Sequence, residues 1–254
     1  MNQIDSLAEV GQNYNNTLRS QRVLEILDVA VRGGETILDV GGGISPFYGA
    51  THVLDILPYD RERLMKNSWG GKRDQPWNEA HYTQFNCCEG KWPLEDQSFD
   101  LGLNVGMIED IRDPVFVARE MQRVCRKVLI ETPSRLFEQT VGADHQRYAG
   151  FWHHRWMLYE TAGTLVCQRK TPIIDLPGCH FTVYPWQQVK PLQGLFTFFA
   201  HSPFPVVETA FWSDNAEHQD LSDFVKRTPP PETTLVRDWR KIVYQFRQRV
   251  WGVM

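Results

Sequence analysis

Three consecutive glycines follow a short apolar segment that reads TILDV. Gly41, Gly42 and Gly43 carry no Cβ atom, so the backbone can turn sharply there and pass close to a bound molecule. A second apolar segment, HVLDI, carries Asp55 at its end. A carboxylate at that place can accept hydrogen bonds from two neighbouring ribose hydroxyls. Together these residues predict a site for a ligand that contains a nucleoside.

The same residues have a purely structural alternative. The glycines also suit an ordinary tight turn between a strand and a helix, and Asp39 could either contact a ligand or bond to the loop amides. The dinucleotide fingerprint GxGxxG, started at Gly41, would need a third glycine where this chain has Pro46. Proline has no N–H to offer a pyrophosphate and prevents close glycine-mediated packing. The sequence therefore disfavours NAD and FAD and favours a ligand without phosphate.

A stretch dense in histidine, arginine and aromatic residues, DHQRYAGFWHHRW, begins at residue 144. A neutral histidine such as His153 or His154 could take a proton from a hydroxyl, and the rings could stack on a sugar or a flat ring. A metal ion on His145, His153 and His154 is a narrower alternative. Adjacent histidines point apart on a strand and lie about 100° apart on a helix, so no metal site is predicted. Equally, the stretch could simply pack over the sheet with its histidines bonded to backbone.

Apolar segments alternate with helical or irregular connections through the first half of the chain, which indicates an open α/β sheet. The predicted strands are residues 36–40, 52–56, 81–86, 101–105 and 127–131. A helix over residues 18–31 precedes them and ends at Gly33. Asp113 and Pro114 predict the start of a helix between the last two strands, which makes a parallel βαβ unit. Three later segments, 163–170, 180–186 and 205–212, predict strands that complete the sheet in antiparallel fashion.

The composition is that of an ordinary globular chain. Its 254 residues include 31 acidic and 27 basic side chains, for a net charge of -4. A nucleic-acid binder needs a basic face, so no nucleic-acid partner is expected. The five cysteines are odd in number and lack CxxC spacing, which argues against disulfides and zinc knuckles. With no signal peptide or membrane-length apolar run, we expect a cytoplasmic location.

Several motifs then occur in a familiar order: TILDVGGG, a carboxylate ending the second strand, and WPLEDQSFDLGLNVGMIEDIRDPVFVAREMQRVCRKVLIETPS. Over about residues 35–135 this order resembles class I S-adenosylmethionine-dependent methyltransferases of type 11. The resemblance implies a Rossmann-like α/β fold with a mostly parallel seven-stranded sheet, one antiparallel strand and helices on both faces. It also implies S-adenosylmethionine as the methyl donor. The donor-binding residues it indicates are Asp39, Gly41, Gly42, Gly43, Asp55, Ile56, Cys88, Glu89 and Asn104.

Three features depart from the family's usual pattern. Cys88 stands where the family often has Asp, and Asp110 stands where a His usually follows Glu109. Only ISPFYGAT separates the glycine loop from the second strand, where a full helix is usual. This shortened crossover and the later HRW motif resemble a poorly characterised subset of methyltransferase-like proteins.

We divide the chain into three parts. Residues 1–16 are a flexible polar arm, residues 17–228 a methyltransferase-like domain, and residues 229–254 a proline spacer with a C-terminal helix packed on or near the core. That helix is basic, which also allows a weak contact with a membrane surface or a protein partner.

The resulting expectation is an enzyme that transfers a methyl group to an oxygen or nitrogen of a small molecule or glycan building block. Its main task would be to align the acceptor with the activated methyl group. For a hydroxyl acceptor, His153, His154 and Glu109 are the candidate catalytic residues. Glu131, at the end of the fifth strand, could contact the acceptor or satisfy local amides. The alternative is a catalytically silent binding or assembly protein that keeps the fold.

Overall fold

The structure is a computed structural model that describes residues 19–70, 77–141, 148–171, 181–182 and 194–209. Its helices are α1 (Gln21–Arg32), α2 (Arg61–Asn67), α3 (Pro114–Val124) and α4 (Arg135–Glu138), with a 3-10 turn at Glu79–His81. Its strands are β1 (Ile37–Val40), β2 (His52–Asp55), β3 (Tyr82–Gln84), β4 (Phe99–Val105), β5 (Cys125–Pro133), β6 (Thr140–Val141), β7 (Trp156–Thr161), β8 (Thr164–Arg169), β9 (Phe181–Thr182), β10 (Leu195–His201) and β11 (Val206–Thr209). The predicted N-terminal arm and the predicted C-terminal helix lie outside the described residues.

The main sheet has the strand order β10-β5-β4-β1-β2-β3. The first five strands of the chain are parallel, and β10 runs antiparallel to β5. This confirms the predicted α/β class with a mostly parallel sheet and one antiparallel strand. The described residues contribute six strands to the sheet, where the resemblance implies seven.

Helices cover both faces of this sheet. Successive side chains of a strand point to opposite faces, so both faces have apolar side chains that must be buried. Ile37, Leu101 and Leu129 pack with α1 on one face. Leu38 and Val128 pack with α3 on the other. Within the described residues, no helix combines the length and the apolar character that a membrane crossing requires.

The two long helices begin at residues that cap their free amides. The Asp113 carboxylate accepts a hydrogen bond from the Phe116 amide at 2.9 Å, and Pro114 occupies the first helical position of α3, as predicted. At α1, the Ser20 hydroxyl accepts from the Val23 amide at 3.2 Å, and Gly33 follows the last residue. Each cap contributes about 1 kcal/mol to stability.

A second sheet, in the order β11-β8-β7, lies on the α3 side of the main sheet. Its residues Trp156, Leu158 and Cys167 are buried in the same core as α3. This corrects the sequence-based expectation, because the segments around 163–170 and 205–212 form this separate sheet. The described part of the segment 180–186, β9, pairs in parallel with β6 in a two-stranded sheet. The antiparallel strand of the main sheet is β10, which the sequence pattern did not reveal.

Candidate functional site

The glycine loop lies at the carboxyl ends of β1 and β2. A Cβ atom at Gly42 would collide with the Asp39 carboxylate, and one at Gly43 would collide with the Asp55 carboxylate. Gly41 has a φ of +86°, a backbone conformation that favours glycine. Residues 41–51 contain no helix, which confirms the short crossover. The glycines are therefore needed to bring the loop backbone close to two buried carboxylates.

Both carboxylates accept hydrogen bonds from backbone amides of the nearby loops. Asp55 accepts from the Gly43 amide and the Leu57 amide, each at 2.8 Å, and Asp39 accepts from the Phe47 amide at 2.7 Å. A carboxylate oxygen has two lone-pair sites, so each oxygen of Asp55 retains the capacity to accept a further bond. Burial raises the pKa of Asp39 to about 7, although the Phe47 amide and the Arg19 charge lower it.

Arg19 and Glu131 complete this edge of the sheet. The Glu131 carboxylate accepts from the Ser20 amide at 2.9 Å, which is the local-amide role considered from the sequence. The Arg19 guanidinium lies 4.7 Å from the centre of the Trp69 ring. Arg19 Nε and Glu131 Oε1 are buried without a hydrogen-bond partner among the described residues. We call Arg19, Asp39, Gly43, Asp55 and Glu131 the glycine-loop crevice.

Sequence reasoning did not identify Arg19. It immediately precedes the cap of α1 and belongs to no motif, so nothing in the sequence indicates that it lies against β5 and Trp69.

An exposed apolar side chain adjoins the crevice. Ile56 follows Asp55 and is 62% exposed, which is unusual for a large apolar residue at the end of a buried strand. The Phe85 amide donates to the Asp55 carbonyl at 2.8 Å, so the turn that contains Cys88 and Glu89 starts beside Asp55. That turn is closed by Asn86, whose side chain accepts from the Cys88 amide and donates to Glu89. The region offers an apolar face and polar groups to a flat ring.

Asn104 has a different environment from the one expected of a ligand-binding side chain. It is fully buried, and its amide nitrogen donates to the Val40 carbonyl at 2.8 Å. Its amide oxygen accepts from the Ile108 amide at 3.1 Å. Asn104 thus joins the end of β1 to the loop that follows β4 and positions that loop.

The second group of predicted residues lies after β4. Glu109 is 2% exposed, its Oε2 has no hydrogen-bond partner among the described residues, and burial raises its pKa to about 7. Its carbonyl accepts from the Arg155 amide at 2.8 Å and the Trp156 amide at 3.1 Å. These two bonds attach the start of β7, and with it His153 and His154, to the loop after β4.

The two ring nitrogens of His154 have different surroundings, because Nδ1 has a carboxylate at hydrogen-bond distance and Nε2 has carboxylates only at a longer distance. Its Nδ1 lies 2.7 Å from Glu138 Oε1, and its Nε2 lies 4.0 Å from both Glu109 Oε1 and Asp110 Oδ1. His153 is exposed, and its ring centre lies 4.5 Å from that of His154. We call Glu109, Asp110, Glu138, His153 and His154 the histidine–carboxylate cluster.

The structure therefore brings together the three predicted catalytic residues, Glu109, His153 and His154. Sequence reasoning missed Glu138, which no motif marks, whereas Asp110 was visible only as a departure from the family pattern. His145 lies outside the described residues. The cluster and the crevice are neighbours, because the Arg19 charge interacts with Glu131 and Asp39 of the crevice and also with Glu109 of the cluster.

Comparison with known proteins finds a family match over part of the chain. Residues 38–128 match the family model of the methyltransferase domain. The resemblance seen in the sequence is thereby confirmed over this segment. It contains Asp39, the glycine loop, Asp55 and Glu109, whereas Arg19, Glu131 and the two histidines lie outside it. No curated protein matches the chain.

Solved methyltransferases resemble parts of the structure. An S-adenosylmethionine-dependent methyltransferase from Mesorhizobium loti aligns with 56% of this chain and 62% of its own, at 14% identity and a TM-score of 0.30. An arsenic(III) S-adenosylmethionine methyltransferase from Chlamydomonas reinhardtii aligns with 41% of this chain and 41% of its own, at 21% identity and a TM-score of 0.28. The chain spans about half the length of the first solved chains that match it.

Proposed function

We propose that the protein is an S-adenosylmethionine-dependent methyltransferase that acts on an oxygen or nitrogen of a small molecule or glycan building block. The observation that carries this proposal is the part of the glycine-loop crevice formed by Asp39, Gly43 and Asp55, which lies inside the segment that matches the methyltransferase domain. There Asp55, at the end of β2, faces the backbone of Gly43 at hydrogen-bond distance. Ligands of open α/β sheets bind at these carboxyl ends of parallel strands.

The residues of the crevice fit S-adenosylmethionine by charge and polarity. The unpartnered Arg19 Nε can bind the carboxylate of the amino-acid end, and the unpartnered Glu131 Oε1, with Asp39, can accept from its ammonium group. Asp55 retains acceptor capacity for the ribose hydroxyls. Ile56 offers its exposed side chain to the adenine, beside the turn with Cys88 and Glu89.

When bound, S-adenosylmethionine supplies an already activated methyl group, so the chain mainly has to orient the acceptor and exclude water. We propose Glu109, His153 and His154 as the catalytic residues, because they lie next to the crevice on the side away from Asp55. The nearly buried imidazole of His154, fixed by Glu138, is the best oriented of these groups.

The test is calorimetric titration of the full chain with S-adenosylhomocysteine, the product form of the donor. We expect binding, and we expect Asp55→Asn to weaken it at least about tenfold, because a neutral amide is a poorer acceptor than a carboxylate. Asp28→Asn, a carboxylate of α1 that pairs with Arg32 and belongs to neither the crevice nor the cluster, is the matched control and should bind normally. Absence of binding at millimolar ligand would reject the proposal.

A catalytically silent binding protein is the second candidate, and one observation favours it. Asp39 and Asp55 already accept bonds from loop amides, so both carboxylates also have a structural task. This candidate predicts that S-adenosylhomocysteine either does not bind or binds without any release of product from S-adenosylmethionine in the presence of acceptor mixtures. Formation of S-adenosylhomocysteine that depends on an added acceptor would exclude it.

We further propose a cytoplasmic location and no nucleic-acid partner. The four cysteines of the described residues are free thiols, which suits a reducing compartment. The net charge of -4 supports a small acceptor over a polyanion.

A further inference from the structure

We propose that the histidine–carboxylate cluster is a binding site for a divalent first-row transition-metal ion, with Asp110, His153 and His154 as ligands. One potential ligand atom from each of these residues lies within 4.8 Å of the other two. Imidazole and carboxylate together are a ligand set typical of Zn²⁺, Fe²⁺, Co²⁺ and Mn²⁺. Nothing in the methyltransferase family match assigns a metal to these residues.

The separations around His154 Nε2 are those of a gap that an ion would fill. Both Glu109 Oε1 and Asp110 Oδ1 lie 4.0 Å from this nitrogen, which is too far for a hydrogen bond. In a tetrahedral site with bonds of about 2.1 Å, neighbouring ligand atoms lie about 3.4 Å apart. The two 4.0 Å separations would therefore have to shorten by about 0.6 Å, and any separation within the Asp110, His153 and His154 group by at most about 1.4 Å, for the groups to share an ion.

The carboxylates beside the gap lack part of their hydrogen bonding. Asp110 Oδ1, which lies 4.0 Å from His154 Nε2, has no hydrogen-bond partner among the described residues, and neither has Glu109 Oε2, the second oxygen of the carboxylate whose Oε1 lies beside that nitrogen. Glu109 is 2% exposed. A buried carboxylate without a partner costs free energy, and a cation in the gap would remove that cost. Glu109 can serve as a fourth ligand or as a charge that neutralises the ion.

The Nδ1 atom of His154 has a carboxylate partner, as the ring nitrogen that does not bind the metal commonly has in metal-binding histidines. Glu138 Oε1 lies 2.7 Å from Nδ1, so the Nδ1–H donates to this carboxylate and the lone pair is left on Nε2. Lys170 Nζ donates to the other oxygen of Glu138 at 2.6 Å and also to the Phe151 carbonyl at 2.7 Å. Gly150 is required here, because a Cβ atom would collide with Glu138. The imidazole is therefore held in one orientation before any ion binds.

The two adjacent histidines can share an ion because they lie on neither a helix nor a regular strand. Residues 152 and 153 form a turn, and the two rings meet edge to face at an interplanar angle of 81°. The sequence argument against a metal assumed regular secondary structure. His153 is exposed and Asp110 is 37% exposed, so the site is open to solvent on one side. If the proposed function is right, that open side faces the acceptor and an oxygen of the acceptor would complete the coordination.

The experiment is a titration of the metal-stripped full chain, without an affinity tag, with Co²⁺ alone. Visible absorption of Co²⁺ reports both stoichiometry and ligand type. We expect one ion per chain with nitrogen and oxygen ligands. Asp110→Asn and His153→Gln should each weaken binding at least about tenfold, and both residues are exposed enough for the variants to fold. His201→Gln, an exposed histidine on β10, is the matched control and should bind as the wild type does.

Several outcomes would overturn the site. These are no Co²⁺ binding, binding that both Asp110→Asn and His153→Gln leave unchanged, or an absorption spectrum of thiolate ligands that Cys88→Ser removes. The titration contains no methyl donor, so it is independent of the proposed function. Co²⁺ binding without S-adenosylhomocysteine binding would leave the metal site standing and reject the methyltransferase. The converse result would reject only the metal.

Discussion

Asp39 and Asp55 show how one residue can shape a loop and prepare a site at the same time. Each carboxylate accepts bonds from loop amides, and each is so close to a glycine that no side chain fits there. Packing alone therefore requires glycine at positions 42 and 43, whether or not a ligand binds beside them. Burial of Asp39 has an electrostatic cost, because it raises the pKa of this carboxyl to about 7.

This raised pKa predicts a pH-dependent contribution of Asp39 to stability. Between its ordinary value of 3.8 and about 7, Asp39 is protonated in the folded chain but ionised in the unfolded chain. The unfolded state then binds fewer protons, so the free energy of unfolding falls as pH rises through this window, by at most about 1.4 kcal/mol per pH unit. Above pH 7 the loss is complete and constant.

Urea denaturation over this pH range measures the effect. The wild type should lose stability relative to Asp39→Asn as the pH rises from about 4 to about 7, because asparagine does not titrate. Subtracting the two curves cancels the other titrating groups, and Asp28→Asn should follow the wild type. Parallel curves for Asp39→Asn and the wild type would show that Asp39 ionises normally.

At the scale of elements, the side chain of Arg123 links α3 to the segment before β4. The Arg123 guanidinium donates to both oxygens of Glu120 and to the carbonyls of Trp92 and Leu94, and it pairs with Asp96. Glu120 is 8% exposed and also accepts from the Trp92 amide at 2.7 Å. This network fixes where the chain enters β4, whose other end carries Asn104 and Glu109.

Arg123→Met should therefore lower the free energy of unfolding by about 2 kcal/mol, because it leaves the nearly buried Glu120 and two carbonyls without their donor. The figure lies below that for a fully buried pair, since the Arg123 side chain is 17% exposed. Urea denaturation measures the change, with the exposed Arg119→Met on the same helix as a control that should change little. The double variant Glu120→Gln with Arg123→Met should recover part of the loss. If Arg123→Met lowered the free energy of unfolding no more than Arg119→Met does, the Arg123 network would not stabilise the fold.

The elements that the sequence predicts well are those whose signals are local. The strands β1, β2, β4 and β5 contain short apolar runs, whereas β3 has the weaker signal HYTQFN, and α3 begins at Asp113 and Pro114 as expected. The strand β10 was missed because its pairing with β5 is decided by the tertiary fold, not by the run LFTFFAH itself. The short helix α2, with its Asp60 cap, was also missed, because it has little apolar periodicity. Residues 152 and 153 form a turn, so the helix or strand geometry that the sequence analysis considered for His153 and His154 does not apply.

At the scale of the whole molecule, the segment that matches the methyltransferase domain supplies only part of the site. Asp39, Asp55 and Glu109 come from it, whereas Arg19 precedes it and His154 follows it. The second sheet packs on the α3 face and carries His154 to the loop after β4. The start of α1 is held at β5 and β10, since the Ser20 amide donates to Glu131 and its hydroxyl lies 2.8 Å from that of Thr197. The flanking parts of the chain are thus positioned to complete a site that the matched segment begins.

The contribution of the start of α1 can be separated from that of β2 by the choice of ligand. Arg19→Met should weaken S-adenosylhomocysteine binding about tenfold, because its buried Nε has no hydrogen-bond partner among the described residues and its charge interacts with Glu131 and Asp39, which an amino-acid ligand would engage. The same variant should bind adenosine as the wild type does, since adenosine has no amino-acid end. Asp55→Asn should weaken both ligands, because both contain the ribose. Arg22→Met, one turn along α1 and exposed, is the matched control, and thermal melting verifies that each variant folds. If Arg19→Met weakened adenosine as much as S-adenosylhomocysteine, Arg19 would be supporting the crevice as a whole, and the orientation proposed for the donor would be wrong.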